Sequence, residues 1–452
     1  MTESTRGYVI GEDMHRSVDI EGRIRHYTMK LRQFSIREYP EEWALCQYNL
    51  ACLYCGDRGG DIFPDSLREG RAKSIETALH HFDRCMEVFT YAAYPTMWAI
   101  SATFMGQLFR ERITLTTLRS ILSKRGSSSL VLRKGIDNVS EAAVVYMQND
   151  KLAAERAICA LEHGWLLLLQ FEDGGEDLGD TTLLEESITY LERAISLSAE
   201  YQKIYDKSVY DRFRPFDPQD PPNFPPHMTL LMGGKLAPGA EGAKWPAKSF
   251  IYLEGVCMNL LGKAYSHLSP AIDIQQTAFD YLTKCLKPKY LILETEYYVN
   301  AHFLAANLIL KNPRIANPEY GEHSEGLSGQ GVTSIMHLDV AISHLDLASK
   351  SPHSVSRQTD LQFLKAQLNI LKLHHITDNL GAGQSLTRAL EMQGGNDIME
   401  TIDDHLTRCL KRITSADMNT QDAYIYFFSN LKLSEMRMLQ TASKSGLTAD
   451  ER

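Results

Sequence analysis

Residues 38 to 54 read EYPEEWALCQYNLACLY, and residues 93 to 109 read AYPTMWAISATFMGQLF. Tyr39-Pro40 and Trp43-Ala44 return as Tyr94-Pro95 and Trp98-Ala99, each 55 positions on. The match runs past the opening motif. Ile20-Glu21 answers to Ile75-Glu76, Tyr27 to Phe82, Phe34 to Phe89, Leu50 to Met105, Leu53 to Leu108 and Tyr54 to Phe109. A duplicated active site would repeat a nucleophile, a base or a ligand set. Apart from one acidic position these are packing residues, so the repeat reads as a structural tile laid down twice.

Within the tile, Gln47, Leu50, Ala51 and Tyr54 fall on helical spacing and give one apolar face with a small residue at its centre. Ala78, Phe82 and Cys85, spaced four then three, give a second helix with one apolar face. The small residues allow the two helices to cross closely. Tyr94-Pro95 is expected to end that second helix, because proline cannot continue the hydrogen-bond ladder and restricts the residue before it.

These spacings resemble the tetratricopeptide repeat, whose first helix carries a large-xx-Leu-Gly-xx-Tyr pattern and whose second carries Ala-xxx-Phe-xx-Ala. The fullest copy is Met258, Leu261, Gly262 and Tyr265, followed by Ala278, Leu282 and Cys285. Further first helices lie at Ala102-Met105-Gly106-Phe109, at Ala160-Gly164-Leu167 and at Ala301-Leu304-Ala305-Leu308. Further second helices carry Ala142-Tyr146, Ser187-Leu191-Ala194, Ala341-Leu345-Ala348 and Ile402-Leu406-Cys409. The resemblance implies an all-α protein, an α-α superhelix of roughly six to seven hairpins.

The connections are longer than that repeat uses: GDRGGDIFPDSLREG, residues 56–70, reads as an inserted loop. The YPxxWA opening with expanded loops resembles the divergent arrays that accompany CHAT protease domains, and the chain is expected to carry the array without the protease. Residues 211–246, dense in proline and glycine, divide an N-terminal array (1–210) from a C-terminal one (247–441), with a polar tail at 442–452. Further loops are expected at 311–331 and from 377.

With 47 basic and 57 acidic residues, the net charge of −10 offers no chain-wide attraction to nucleic acid or to an anionic membrane. The longest apolar run, WLLLLQF at 165–171, is too short to span a bilayer, and the start has no apolar signal core. Eight scattered cysteines fit reduced thiols, so a cytoplasmic or nuclear protein is expected.

Cys52 and Cys55 form a CxxC without a second pair, and Cys85 already holds a packing position, so no metal or cofactor is expected. GLSGQG at 326–331 lacks the Lys-Ser/Thr of a phosphate loop. His80-His81 and His374-His375 have no nucleophile at a useful spacing, so no enzymatic step is assigned. Arg212 to Pro218 fits a basic-xx-Pro-xx-Pro ligand of SH3 domains, or an ordered loop. Arg110, Arg112, Arg119, Lys124, Arg125, Arg133 and Lys134 make a basic stretch in which Glu111 is the single acid, either a solvated loop or an anion-binding or phosphorylated patch.

In the resembled repeat the first helices line a concave surface. Carried over residue by residue, the groove positions are Tyr48, Cys52 and Cys55; Thr103, Gln107 and Arg110; Leu161 and Trp165; Asn259, Lys263 and His267; and His302. The function expected is a non-catalytic scaffold or adaptor that holds a protein or peptide segment in this groove. The alternative is a regulatory or assembly subunit of an enzyme complex, such as a CHAT-type protease.

Overall fold

The computed structural model describes residues 20–56, 65–117, 126–148, 152–174, 181–205, 245–290, 295–312, 335–351, 357–378, 395–412 and 428–434, with a few single residues between them. Its regular elements are helices, and the described residues contain no strand. They fall into two compact units, one running to Leu268 with Lys287–Leu291 added, the other made of Ser269–Leu286 and everything from Ile292 on.

The first unit holds α1 (Ile20–Gln33), α2 (Pro40–Gly56), α3 (Asp65–Met86), α4 (Pro95–Thr117), α5 (Gly126–Met147), α6 (Ala153–Gly174), α7 (Thr182–Tyr205) and α8 (Trp245–Leu268). The second holds α9 (Ile272–Cys285), α10 (Glu296–Lys311), α11 (Ile335–Lys350), α12 (Gln358–Asp378) and α13 (Gly395–Arg412). Within each unit every helix packs on the next in sequence, and alternate helices also touch: α4 with α6, α6 with α8, and α10 with α12. No helix among the described residues is long and apolar enough to cross a membrane.

The tile explains how the helices begin. The Tyr39 carbonyl accepts from the Trp43 amide at 3.0 Å and the Tyr94 carbonyl from the Trp98 amide at 2.9 Å, so each tyrosine precedes a helix whose first residue is proline. Proline suits that place, since its missing N–H would have no partner in the first turn and its φ is already helical. Tyr-Pro therefore starts α2 and α4; it does not end the helix before, which stops at Met86. The aromatic partner repeats as well: Phe34 packs on Tyr39 at 5.7 Å between ring centres and Phe89 on Tyr94 at 5.1 Å. The Tyr94 hydroxyl donates to the Glu41 carboxylate, tying one tile to the next.

Two expected loops are shorter than read from the sequence. Helix α3 begins at Asp65, inside the stretch read as an insertion; Ser66-Leu-Arg-Glu69 is the Ser-x-x-Glu pattern of a helix start. Its extra turns carry Arg71, whose side chain is 1% exposed. That guanidinium donates to both Glu111 oxygens at 2.7 Å and to the Tyr54 carbonyl at 3.0 Å. The basic stretch likewise lies largely on helix, with α4 reaching Thr117 and α5 starting at Gly126.

Paired helices meet at small residues. Ala51 and Ala78 are wholly buried. A Cβ added to Gly106 would stand 2.3 Å from Val139 Cγ2 on α5, whereas one added to Gly70 on α3 meets nothing within 4 Å. Val139 is fully buried and β-branched, so it has little freedom to turn aside. Gly106→Ala is expected to cost about 1–3 kcal/mol by overpacking, with partial recovery in Gly106→Ala/Val139→Ala. Gly70→Ala should stabilise by about 0.5–1 kcal/mol through helix propensity. Urea melts of the three variants check both directions.

Candidate functional site

The groove positions divide sharply once packed. Tyr48 is 2% exposed and meets Phe82 and Phe104 edge-on at 6.0 and 6.3 Å; it belongs to the core. Cys52, Cys55, Thr103 and Leu161 are buried as well. The reason is local: α2 is apolar around nearly its whole circumference from Trp43 to Cys55, and such a helix is buried on every side. Burial pushes the Cys52 thiol well above its ordinary range, which keeps it protonated. Asn259 is fully buried while Lys263, one turn on, is half-buried, so the two do not present one surface.

His302 is also interior. Its ring meets Tyr298 edge-on at 4.5 Å, and its Nδ1 lies 2.7 Å from Nδ1 of His344 on α11. One ring must donate there and the other accept. The His302 Nε2 is buried without a hydrogen-bond partner. A bare lone pair costs less there than an unpaired N–H, so His302 is the donor through Nδ1.

The remaining groove positions come together. Gln107, itself buried rather than on a groove surface, and Arg110 on α4 face Glu162 and Trp165 on α6, and Gln107–Glu162 and Arg110–Trp165 are each separated by the 55 residues of the tile. Gln107 Nε2 donates to Glu162 Oε1 at 3.2 Å; Arg110 donates to the same carboxylate through Nε at 2.6 Å and Nη2 at 3.1 Å. The guanidinium lies 3.7 Å from the centre of the Trp165 ring. A fork of parallel donors on a carboxylate, stacked on an indole, is what Arg does and Lys cannot. Further along α6, Glu172 Oε1 receives Lys263 Nζ of α8 at 2.5 Å, with His267 Nε2 3.8 Å away and its ring beside Phe171. Glu162 and Glu172, one acid for each neighbouring first helix, were not identified from the sequence. Continuing the tile by another 55 residues from Gln107 would have found the first.

In the basic stretch, Arg112 pairs with Glu76 at 3.0 Å, and Arg133 and Lys134 are exposed on α5. Arg119, Lys124 and Arg125, the Arg212–Pro218 segment and GLSGQG lie outside the described residues.

A second polar arrangement recurs inside the hairpins. Gln47 Oε1 stands 2.6 Å from His81 Nδ1, and Gln362 Oε1 2.6 Å from His405 Nδ1. With His302–His344 these occupy equivalent places: four residues before a small residue of the first helix (Ala51, Ala366, and Ala306, which packs with Ala341 one position past the Ala305 read from the sequence), and three after that of the second (Ala78, Ala341) or after Ile402. No family model matches the sequence, and no curated protein matches it either.

Two sets of outcomes are expected. Glu162→Ala leaves Arg110, only 11% exposed, without its counter-charge and should cost about 3 kcal/mol in a denaturant melt, whereas Arg110→Lys keeps charge but loses the fork and the stack. Acid stability follows from the histidines. Burial lowers His81 to about 4 and His302, with the His344 charge adding, to about 3. Below pH 6.5 the unfolded chain therefore takes up protons that the fold refuses, and stability falls as pH drops from 6.5 toward 4. Burial raises Glu155 to about 7, which acts in the opposite sense: its contribution is lost as pH rises from 4.5 to 7. Thermal melts should show His81→Gln losing less stability than wild type between pH 6.5 and 5, and Glu155→Gln gaining on wild type at pH 8 but not at pH 4.

Proposed function

We propose that the chain is a tetratricopeptide-like, non-catalytic scaffold of the cytoplasm that holds an extended segment of a partner protein along the surface of its first helices. The observation that carries this reading is the row formed by Arg110, Trp165, Lys263 and His267 with Glu162 and Glu172, built from α4, α6 and α8 at tile-related positions. Glu162 is buried beneath Arg110, and the end made by Lys263, Glu172 and His267 is the part open to solvent, on the side of a superhelix where an extended chain meets successive helices. Lys263 and Glu172 remain about a quarter exposed, so each can take a charged group of a partner without unfolding a hairpin. The stacked Trp165 adds an aromatic surface at low entropic cost.

A photo-crosslinking residue placed in the full chain at His267, which is exposed, should capture a recurrent set of partners. The same residue at Val144, exposed on α5, should not. Lys263→Ala should leave stability within about 0.5 kcal/mol of wild type yet weaken the capture at 267. Equal capture at both places, or capture at 267 indifferent to Lys263, contradicts the scaffold surface. Recurrent recovery of one enzyme would assign the scaffold to that enzyme's complex.

A further inference from the structure

A cleft opens between α5, α6 and α7, lined by Ala143, Met147, Ala160, His163, Tyr190 and Arg193. Its origin lies in the repeat. Ala160, four before Gly164, takes the place filled elsewhere by Gln47, His302 and Gln362, and Tyr190, three after Ser187, takes the place of His81, His344 and His405. The hydrogen bond that closes those three hairpins has no acceptor here, and a space remains.

What faces that space is donor-rich. His163 is 6% exposed, stacks on Tyr190 at 3.9 Å between ring centres, and its Nδ1 is buried with no hydrogen-bond partner. The Tyr190 hydroxyl makes no hydrogen bond and the Arg193 guanidinium no ion pair with the described residues. Arg156 adds a second guanidinium to the lining, and no aspartate or glutamate lines it. Of the nearby acids, Glu162 is held by Arg110 and Glu192 accepts from the Tyr265 hydroxyl, while Glu155, wholly buried with neither oxygen hydrogen-bonded, is pushed by burial up to about 7 and so toward its neutral form.

We propose that this cleft binds a carboxylate borne on an apolar group. The cleft admits water-sized groups over about 20 Å³ and opens to solvent at its mouth. One carboxylate oxygen enters toward the neutral His163 ring, which donates to it by moving its proton to Nδ1, the tautomer that the ligand selects, while the other meets Arg193 and the Tyr190 hydroxyl at the mouth. Met147, Ala143 and Leu197 receive the apolar substituent. The site stands apart from the first-helix row and does not depend on the scaffold reading.

The test uses the full chain with N-acetyl-leucine, its amide, and a pentapeptide of four alanines ending in a leucine with a free carboxylate, binding being followed by NMR shifts and calorimetry. N-acetyl-leucine should bind and the amide should not. Arg193→Ala and His163→Phe, the second keeping the ring stack, should each weaken the acid about tenfold, with unchanged melting for the exposed Arg193. Tighter binding of the pentapeptide identifies a chain end as the natural ligand, and equal binding identifies a free acid; both support the site. Equal binding of acid and amide, no binding of either, or binding insensitive to Arg193 overturns it.

Discussion

The close crossing of paired helices at small residues is the constraint on which the rest depends. In the α6–α7 pair the Ser187 hydroxyl donates to the Gly164 carbonyl at 2.6 Å, and a Cβ on Gly164 would lie 2.8 Å from Leu191 and 2.9 Å from the Ser187 carbonyl. Backbone cannot yield to a methyl group as a side-chain tip can, so the crossing distance is set by the absence of a side chain. Once two helices lie this near, the residues one turn either side face each other at fixed places. Gln47 then meets His81, His302 meets His344 and Gln362 meets His405. Where the pattern supplies Ala160 and Tyr190 instead, the same geometry leaves a cleft.

Much of the fold was legible because packing repeats are written in spacing. Helix content, the pairing of consecutive helices and the buried faces around Ala51, Ala78, Phe82 and Cys85 follow from apolar residues at three and four. Helix ends were less legible. Tyr-Pro was read as a stop because proline breaks a helix in its interior, yet at the first position it opens one. The start of α3 was missed because the glycines before Asp65 outweighed the Ser66-x-x-Glu69 signal, and Arg71 reads as a surface residue until Glu111 and the Tyr54 carbonyl surround it.

The polar surface was half legible. The resemblance to the repeat placed Arg110, Trp165, Lys263 and His267 on first helices, and packing brings them to α6 and its neighbours. The same resemblance put Tyr48, Asn259 and His302 in that row, because it takes a first helix to have one buried face, while helices in contact with three others have hardly any exposed one. The acids Glu162 and Glu172 went unread for a related reason: each lies at the edge of the apolar stretch from Ala160 to Phe171, where a carboxylate draws no attention until its cationic partner arrives from another helix.

The claim that close crossing holds each pair as one unit is tested most directly by native-state hydrogen exchange on wild type and Gly164→Ala. A shared crossing predicts that amides of α6 and α7 lose protection together in the variant, while those of α2 and α3 keep theirs. Loss confined to α6, or protection in both helices equal to wild type, would contradict it.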